Sequence, residues 1–297
     1  MFTPKLGITL SQSHLEHLNI PIDLAIQESL KHNFAHIRIG AYWNQIEISP
    51  GGFDFSKLQY LLSKYEQANQ PVVLTLGVKA PRWPEYYWPD FIVNKDPKES
   101  QTQQQILTFI KQVIHVTKSF KCITHWQVEN EPFDPSGPNN LLIPHSLLEQ
   151  EIKLVKSLDS RPVIVTCWGN DLLSRGGFHQ AEQLADELGV DLYFKQFITQ
   201  VLGKNIYRGP AQTDKKLIKF FQSCPKPVWI TELQAEPWEK DETGYMSDQP
   251  QSISPNQLKA NIERARKLPV KEILLWGFEY WLWQSQKGND SYFDAIK

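Results

Sequence analysis

Trp126-Gln127-Val128-Glu129-Asn130-Glu131-Pro132 is the stretch from which the fold can be read. It continues a strand-like run, Cys122-Ile123-Thr124-His125, and breaks off at a proline. Proline has no N–H to give to a strand ladder, so the ladder stops there. Its ring also crowds the preceding residue, which predicts a Glu131 outside the helical region. The pattern therefore fixes a carboxyl at the C-terminal mouth of a strand, with Asn130 beside it. Packing gives no reason for a charged group at that place; chemistry does.

The same pattern returns about a hundred residues later. Pro227-Val228-Trp229-Ile230-Thr231-Glu232 is again a short apolar run ending in a carboxylate, followed by Leu233-Gln234-Ala235-Glu236-Pro237-Trp238. Working outward, strands are predicted at Leu6–Leu10, Phe34–Ile39, Val72–Leu76, Cys122–Val128, Val163–Thr166, Val190–Phe194, the run bearing Glu232, and Glu272–Gly277. Helices are predicted at Pro21–His32, from Ser56 to about Ala68, Gln101–Ser119, Pro144–Leu158, Gln180–Leu188, Asp214–Gln222 and Pro255–Leu268. Ser11–Asn19 reads as a polar loop, as does the stretch from Lys195 to Gln212. The last dozen residues read as at most a short helix, which would leave closure beside the first strand to loops or a partner subunit.

Strands that are apolar on both faces and alternate with helices form a parallel α/β sheet. Eight such units in 297 residues make one (β/α)8 TIM barrel, read as a single domain over residues 1–297. Active sites of that fold lie at the C-terminal ends of the strands. The loops Gly77–Asp96 and Leu233–Ser252 are long for a barrel and fall on that face.

Composition narrows the partners. A net charge of −2 gives no footprint for nucleic acid or an anionic membrane. No apolar run approaches the ~20 residues of a membrane span. Three cysteines, Cys122, Cys167 and Cys224, make no disulfide framework and suggest a reducing compartment. Met1-Phe2-Thr3-Pro4-Lys5 lacks a signal-peptide layout, so the expected location is cytoplasmic, or secreted if the N-terminus has been trimmed. Ten tryptophans offer faces on which sugar rings could stack. His14 and His17 are three apart, but no further cluster completes a metal site. His125 is expected inside the barrel. No Gly-rich phosphate loop or Gly-x-Ser-x-Gly elbow occurs.

Asn-Glu-Pro closing a fourth strand, Thr-Glu closing a seventh and an aromatic eighth strand resemble the clan A glycoside hydrolases, the 4/7 superfamily. The cellulase-like families such as glycoside hydrolase family 5 are most similar. The likeness spans Leu6 to about Trp283. It implies a retaining β-glycosidase that hydrolyses O-glycosidic bonds of a β-linked oligo- or polysaccharide by double displacement. It makes Glu232 the nucleophile and Glu131 the acid/base, with carboxyls about 5–5.5 Å apart. It implies that Arg38 and Tyr193 touch the nucleophile, that Asn130 contacts the sugar 2-hydroxyl, and that Trp276 floors the subsite of the cleaved sugar.

Other residues keep two readings. Arg82, Trp83 and Glu85 could bind sugar hydroxyls, or form an Arg–Glu pair against Trp. Trp238 and Glu236 could line the cleft; Glu279, Trp281 and Trp283 could contact sugar or pack. Tyr207 could replace Tyr193. Glu129 is set aside because strand alternation turns it away from its neighbours. A carbohydrate partner is expected, with no cofactor, no metal, no nucleic acid and no membrane; the oligomeric state is open. Two alternatives stand: a catalytically silent carbohydrate-binding protein on the same scaffold, and a transglycosylase.

Overall fold

The computed structural model describes residues 3–170, 177–239 and 246–297. Its strands are β1 (Lys5–Thr9), β2 (Ile37–Gly40), β3 (Glu47–Ser49), β4 (Gly52–Phe53), β5 (Val72–Leu76), β6 (Ile123–Val128), β7 (Val163–Trp168), β8 (Glu187–Leu192), β9 (Gln196–Val201), β10 (Lys204–Arg208), β11 (Val228–Gln234) and β12 (Glu272–Trp276). Its helices are α1 (Gln12–His17), α2 (Ile22–Lys31), α3 (Trp43–Ile46), α4 (Ser56–Gln67), α5 (Ser100–Thr117), α6 (His145–Leu158), α7 (Gly177–Leu184), α8 (Asp214–Ser223), α9 (Pro255–Ala265), α10 (Phe278–Gln286) and α11 (Ser291–Ala295). The strands β1, β12, β11, β8, β7, β6, β5 and β2 pair in that order into a closed parallel barrel. This is the expected TIM barrel; seven of its strands fall on expected runs, while β8 begins at Glu187, inside the expected helix Gln180–Leu188.

Three segments differ from the sequence reading. Ser11–Asn19 is not all loop: the Ser11 hydroxyl accepts from the His14 amide at 3.2 Å and caps α1. The stretch after β8 folds into the antiparallel hairpin β9–β10. Leu202 (φ 48°) and Gly203 (φ 77°) supply the two left-handed residues that a tight hairpin turn needs. Past β12 the run that begins at Phe278 forms α10, which the sequence reading left unassigned, while α11 is the short final helix expected. Phe293 stacks on His32 at 4.9 Å and meets Phe278 edge-on at 5.9 Å, sealing the seam over α2. Barrel closure comes from β1–β12 pairing, Lys5 opposite Glu272 through Ile8 opposite Leu275, and not from loops.

The barrel interior changes character from bottom to top. At its lower mouth His36 meets Glu272 at 2.8 Å, and Glu187 accepts from Lys271 at 2.6 Å and from the Trp229 indole. His125 sits 5.4 Å from His36 and 5.0 Å from Trp229, the interior role expected of it. The middle is an apolar plug of Val73, Ile164, Trp229 and Leu274. Above it the buried side chains turn polar: Thr9, Arg38, Gln127, Thr166, Asp191, Thr231 and Glu232. Burying ions is costly, and paired ions seldom recover more than that cost. Stability alone therefore explains the charged upper layer poorly.

Candidate active site

β6 ends at Val128, and Glu131 sits on the turn that follows. Glu131 lies outside the right-handed helical region, as expected before Pro132. Glu129 and Glu131 have φ of 56° and 42°, both left-handed. Each such residue costs of order 1–3 kcal/mol and persists only where its surroundings hold it. Here they do. The Glu129, Asn130 and Glu131 amides donate to Leu76 O, Lys79 O and Thr166 Oγ1, each at 2.8 Å. The Lys79 ammonium, fully buried, donates to the carbonyls of Glu131 and Asp134, both at 2.8 Å. The left-handed turn defeats the alternation used to set Glu129 aside. Its carboxylate instead accepts from the Val78 and Lys79 amides at 3.0 and 2.5 Å. Gly77 makes room: at φ 108°, an added Cβ would lie 2.3 Å from the Glu129 carboxyl carbon.

Beneath this turn lies a second buried carboxyl, Glu151 of α6, a close electrostatic neighbour of Glu129. Burial pushes the Glu129 carboxyl up to about 7 and holds Glu151 protonated well above the usual carboxylate range. Raised folded-state values for acids mean that the folded chain binds more protons than the unfolded one above about pH 4.5. Stability is therefore fullest below that point and falls as pH rises through about 7. Glu151→Gln keeps a donor beside Glu129 and removes one buried acid. Thermal melts should show a midpoint at about pH 8 raised by a few degrees, and a shallower decline between about pH 5 and 8. An unchanged slope would remove the pair from the account.

Glu232 is aimed by a bulge. The register of β11 slips between Ile230 and Glu232 against β8, and between Ile230 and Leu233 against β12. Such slips re-aim side chains. Thr231 Oγ1 then donates to Asp191 at 2.6 Å, and Glu232 turns into the polar layer. Arg38 Nη2 donates to Glu232 Oε1 at 2.5 Å, while its Nε donates to Thr9 at 2.9 Å and its Nη1 to Gln127 at 3.3 Å. The Tyr193 hydroxyl donates to Glu232 Oε2. Glu131 faces this pair. Burial, then the charges of Asp191 and Glu232, hold its carboxyl well above the usual range. Asn130 Oδ1 accepts from Gln127 at 3.2 Å and from Thr166 at 3.4 Å, which fixes its amide plane.

The remaining candidates divide. The Arg82 guanidinium lies 4.2 Å from the centre of the Trp276 ring, so that ring is already covered in part by a cation. Arg82 does not pair with Glu85. It donates to both oxygens of Glu236 and, at 2.6 Å, to Glu279. Glu279 is fully buried and also accepts from the Ser11 amide at 2.5 Å; it is a structural ion, out of a ligand's direct reach. Glu85 instead lies 3.6 Å from Lys79 and accepts from Ser136. Trp83 is 68% exposed and does not join the carboxyl pair. Trp238, exposed on one side, packs edge-on against Tyr193 at 4.8 Å and reaches Trp168 at 6.2 Å. Trp168 stacks on Tyr193 at 5.5 Å. Trp281 packs in the core, its indole donating to Ala235 O at 2.7 Å, and Trp283 covers Lys287. Tyr207 lies on the hairpin and donates to Glu239 at 2.6 Å, away from Glu232. A cleft of about 630 Å³ borders the Glu131 loop, lined by Phe133, Ile143, His145 and Gly177, without containing either carboxyl.

Sequence reasoning missed Lys79, Arg82's partners, Trp168 and Asp191. Trp168 carried a signal, as an aromatic closing a strand beside the expected Tyr193. Lys79 carried none. Among the described residues no group of His, Cys, Asp and Glu could hold a metal ion.

No protein-family model matches the sequence, and no curated protein matches it. Solved structures do match by fold. An endo-β-1,4-xylanase of glycoside hydrolase family 10 from Gloeophyllum trabeum superposes with a TM-score of 0.60 at 14% identity, over 92% of this chain and 84% of the xylanase. A family 5 protein, GH5_18 from Streptomyces cattleya, gives 0.66 at 12% identity, over 92% and 70%. The β-galactosidase of Halorubrum lacusprofundi gives 0.64 at 11% identity, over 98% of this chain but only 57% of its own length. What this chain shares with these glycoside hydrolases is the eight-stranded barrel fold.

Proposed function

We propose that the protein is a retaining β-glycosidase acting on a β-linked oligo- or polysaccharide. The carrying observation is the pairing of two buried carboxyls in opposite roles at the barrel top. Glu232 is ion-paired to Arg38, while burial and like charge keep a proton on Glu131. Two acids whose surroundings separate their protonation are the arrangement that acid-assisted glycoside cleavage needs. The fold shared with glycoside hydrolases supports the same reading.

Glu232 attacks the anomeric carbon as the glycosidic C–O bond breaks, and Glu131 gives its proton to the leaving oxygen. The sugar is then an ester on Glu232. Water adds at the anomeric carbon, loses a proton to Glu131, and the ester bond breaks. Asn130, fixed by Gln127 and Thr166, contacts the 2-hydroxyl on this reading. Trp238 and Trp168 give an aromatic wall beside Tyr193 for a neighbouring sugar ring.

A panel of aryl β-glycosides (glucoside, galactoside, mannoside, xyloside, cellobioside), followed by trapping with the matching 2-fluoro sugar, tests this. Intact mass should rise by one glycosyl unit, and peptide mapping should place it on Glu232. Retained anomeric configuration completes the case. Glycan binding with no turnover of any substrate would instead make the protein a binder.

A further inference from the structure

We propose that Asp191 and Glu131 share one buried proton, which makes Asp191 a positioning residue for the acid/base; this rests on the glycosidase reading above. Asp191 is fully buried in β8, in register with Glu232 of β11. Its Oδ1 accepts from Thr231 at 2.6 Å. Its Oδ2 is buried with no protein donor, and so is Glu131 Oε1. Asp191 is the first charged neighbour to act on Glu131, so the two carboxyls lie close together in the buried polar layer. Two carboxyl oxygens can bond only if one of them carries a proton. A shared proton satisfies both otherwise orphaned oxygens at once. Both backbones are fixed, Asp191 within the barrel and Glu131 by its amide bond to Thr166 of β7. The bond therefore aims the Glu131 carboxyl as well as charging it.

The surroundings set where the proton sits. Asp191 faces Glu232 and Arg38, with Cys167 and Tyr193 near it. Glu131 faces Asp191, Glu232, Lys79 and Asp134. Arg38 offsets negative charge at Asp191, and Thr231 donates to it, so Asp191 is the acceptor and Glu131 holds the proton. In the first half-reaction that proton passes to the leaving oxygen as the glycosidic bond breaks, and the pair goes from one negative charge to two. Two adjacent anions make Glu131 a stronger base. In the second half-reaction it takes a proton from the attacking water, and the pair returns to one charge. Asp191 thus serves both halves without touching substrate.

The test joins a substrate-free readout to a kinetic one. Difference infrared spectra at neutral pH should show a protonated-carboxyl carbonyl band in the native protein that is lost in Glu131→Gln and shifted in frequency in Asp191→Asn. The Glu129–Glu151 pair adds its own band, unchanged in all three. In Asp191→Asn the alkaline limb of kcat/KM should move to lower pH by about one unit or more. That is roughly a tenfold loss at the original limb for unactivated leaving groups and little for activated aryl ones. If Asp191→Asn leaves both the band and the limb in place, the shared proton is disproved. If that variant does not fold, the native-minus-Glu131→Gln spectrum decides: no lost band, no shared proton. If no glycoside is turned over, the glycosidase reading fails on its own, and the infrared result still decides the proton.

Discussion

Glu232→Gln should abolish turnover, with kcat falling by at least about 10⁴-fold on every β-glycoside the native protein cleaves. The amide is nearly the size of the carboxylate but cannot form the glycosyl ester, so both half-reactions are lost. Substrate binding should survive, because the amide oxygen still accepts from Arg38 and the Tyr193 hydroxyl can turn to accept from the amide nitrogen. Calorimetric titration of an intact oligosaccharide into the variant checks this: near-native affinity with no product. The variant also removes the anion that Arg38 neutralises in a fully buried place. A loss of fold must therefore be excluded by its melting curve before the kinetics are read. Turnover within tenfold of native would place the nucleophile elsewhere.

The second large effect is on Glu131→Ala, and its size should depend on the leaving group. Removing a general acid costs about 10²–10⁴-fold where protonation is needed. An unactivated disaccharide should therefore lose that full factor in kcat/KM. A dinitrophenyl glycoside, whose leaving group needs no proton, should keep a near-native first step and stall as the glycosyl-enzyme. Added azide should then restore turnover and yield a β-glycosyl azide, since it needs no base. Equal losses on both substrates, with no azide product, would strip Glu131 of its assigned role.

The barrel was legible because its signals are local. Eight runs such as Val72–Leu76 are apolar on both faces, and only a covered parallel sheet gives them a place. Glu131, Glu232, Arg38, Asn130, Tyr193 and Trp276 each sit at or near a strand end, and the structure brings all six together. The rest depends on contacts that no short window contains. Arg82 sits three residues from Glu85 yet binds Glu236 and Glu279, which reach it through the closed barrel. Asp191 is the one acid of the Val190–Phe194 run; its partner is 60 positions away, reached across β7. The left-handed turn at Glu129 and Glu131 is not set by the proline alone, because Lys79 and Thr166 hold it. The hairpin β9–β10 did leave a trace, the Leu202-Gly203 pair inside an alternating run.

The Arg82 contacts have a consequence for anyone who would redesign this mouth. One guanidinium ties the loop after β5 to Glu236 beyond β11 and to Glu279 in α10, on the far side of the barrel. A broken buried ion pair costs about 3–5 kcal/mol, because the orphaned carboxylate stays behind. Loop grafting, the usual route to new specificity on this scaffold, therefore cannot proceed one loop at a time here. The three segments form a single inheritable module, to be exchanged together or left alone.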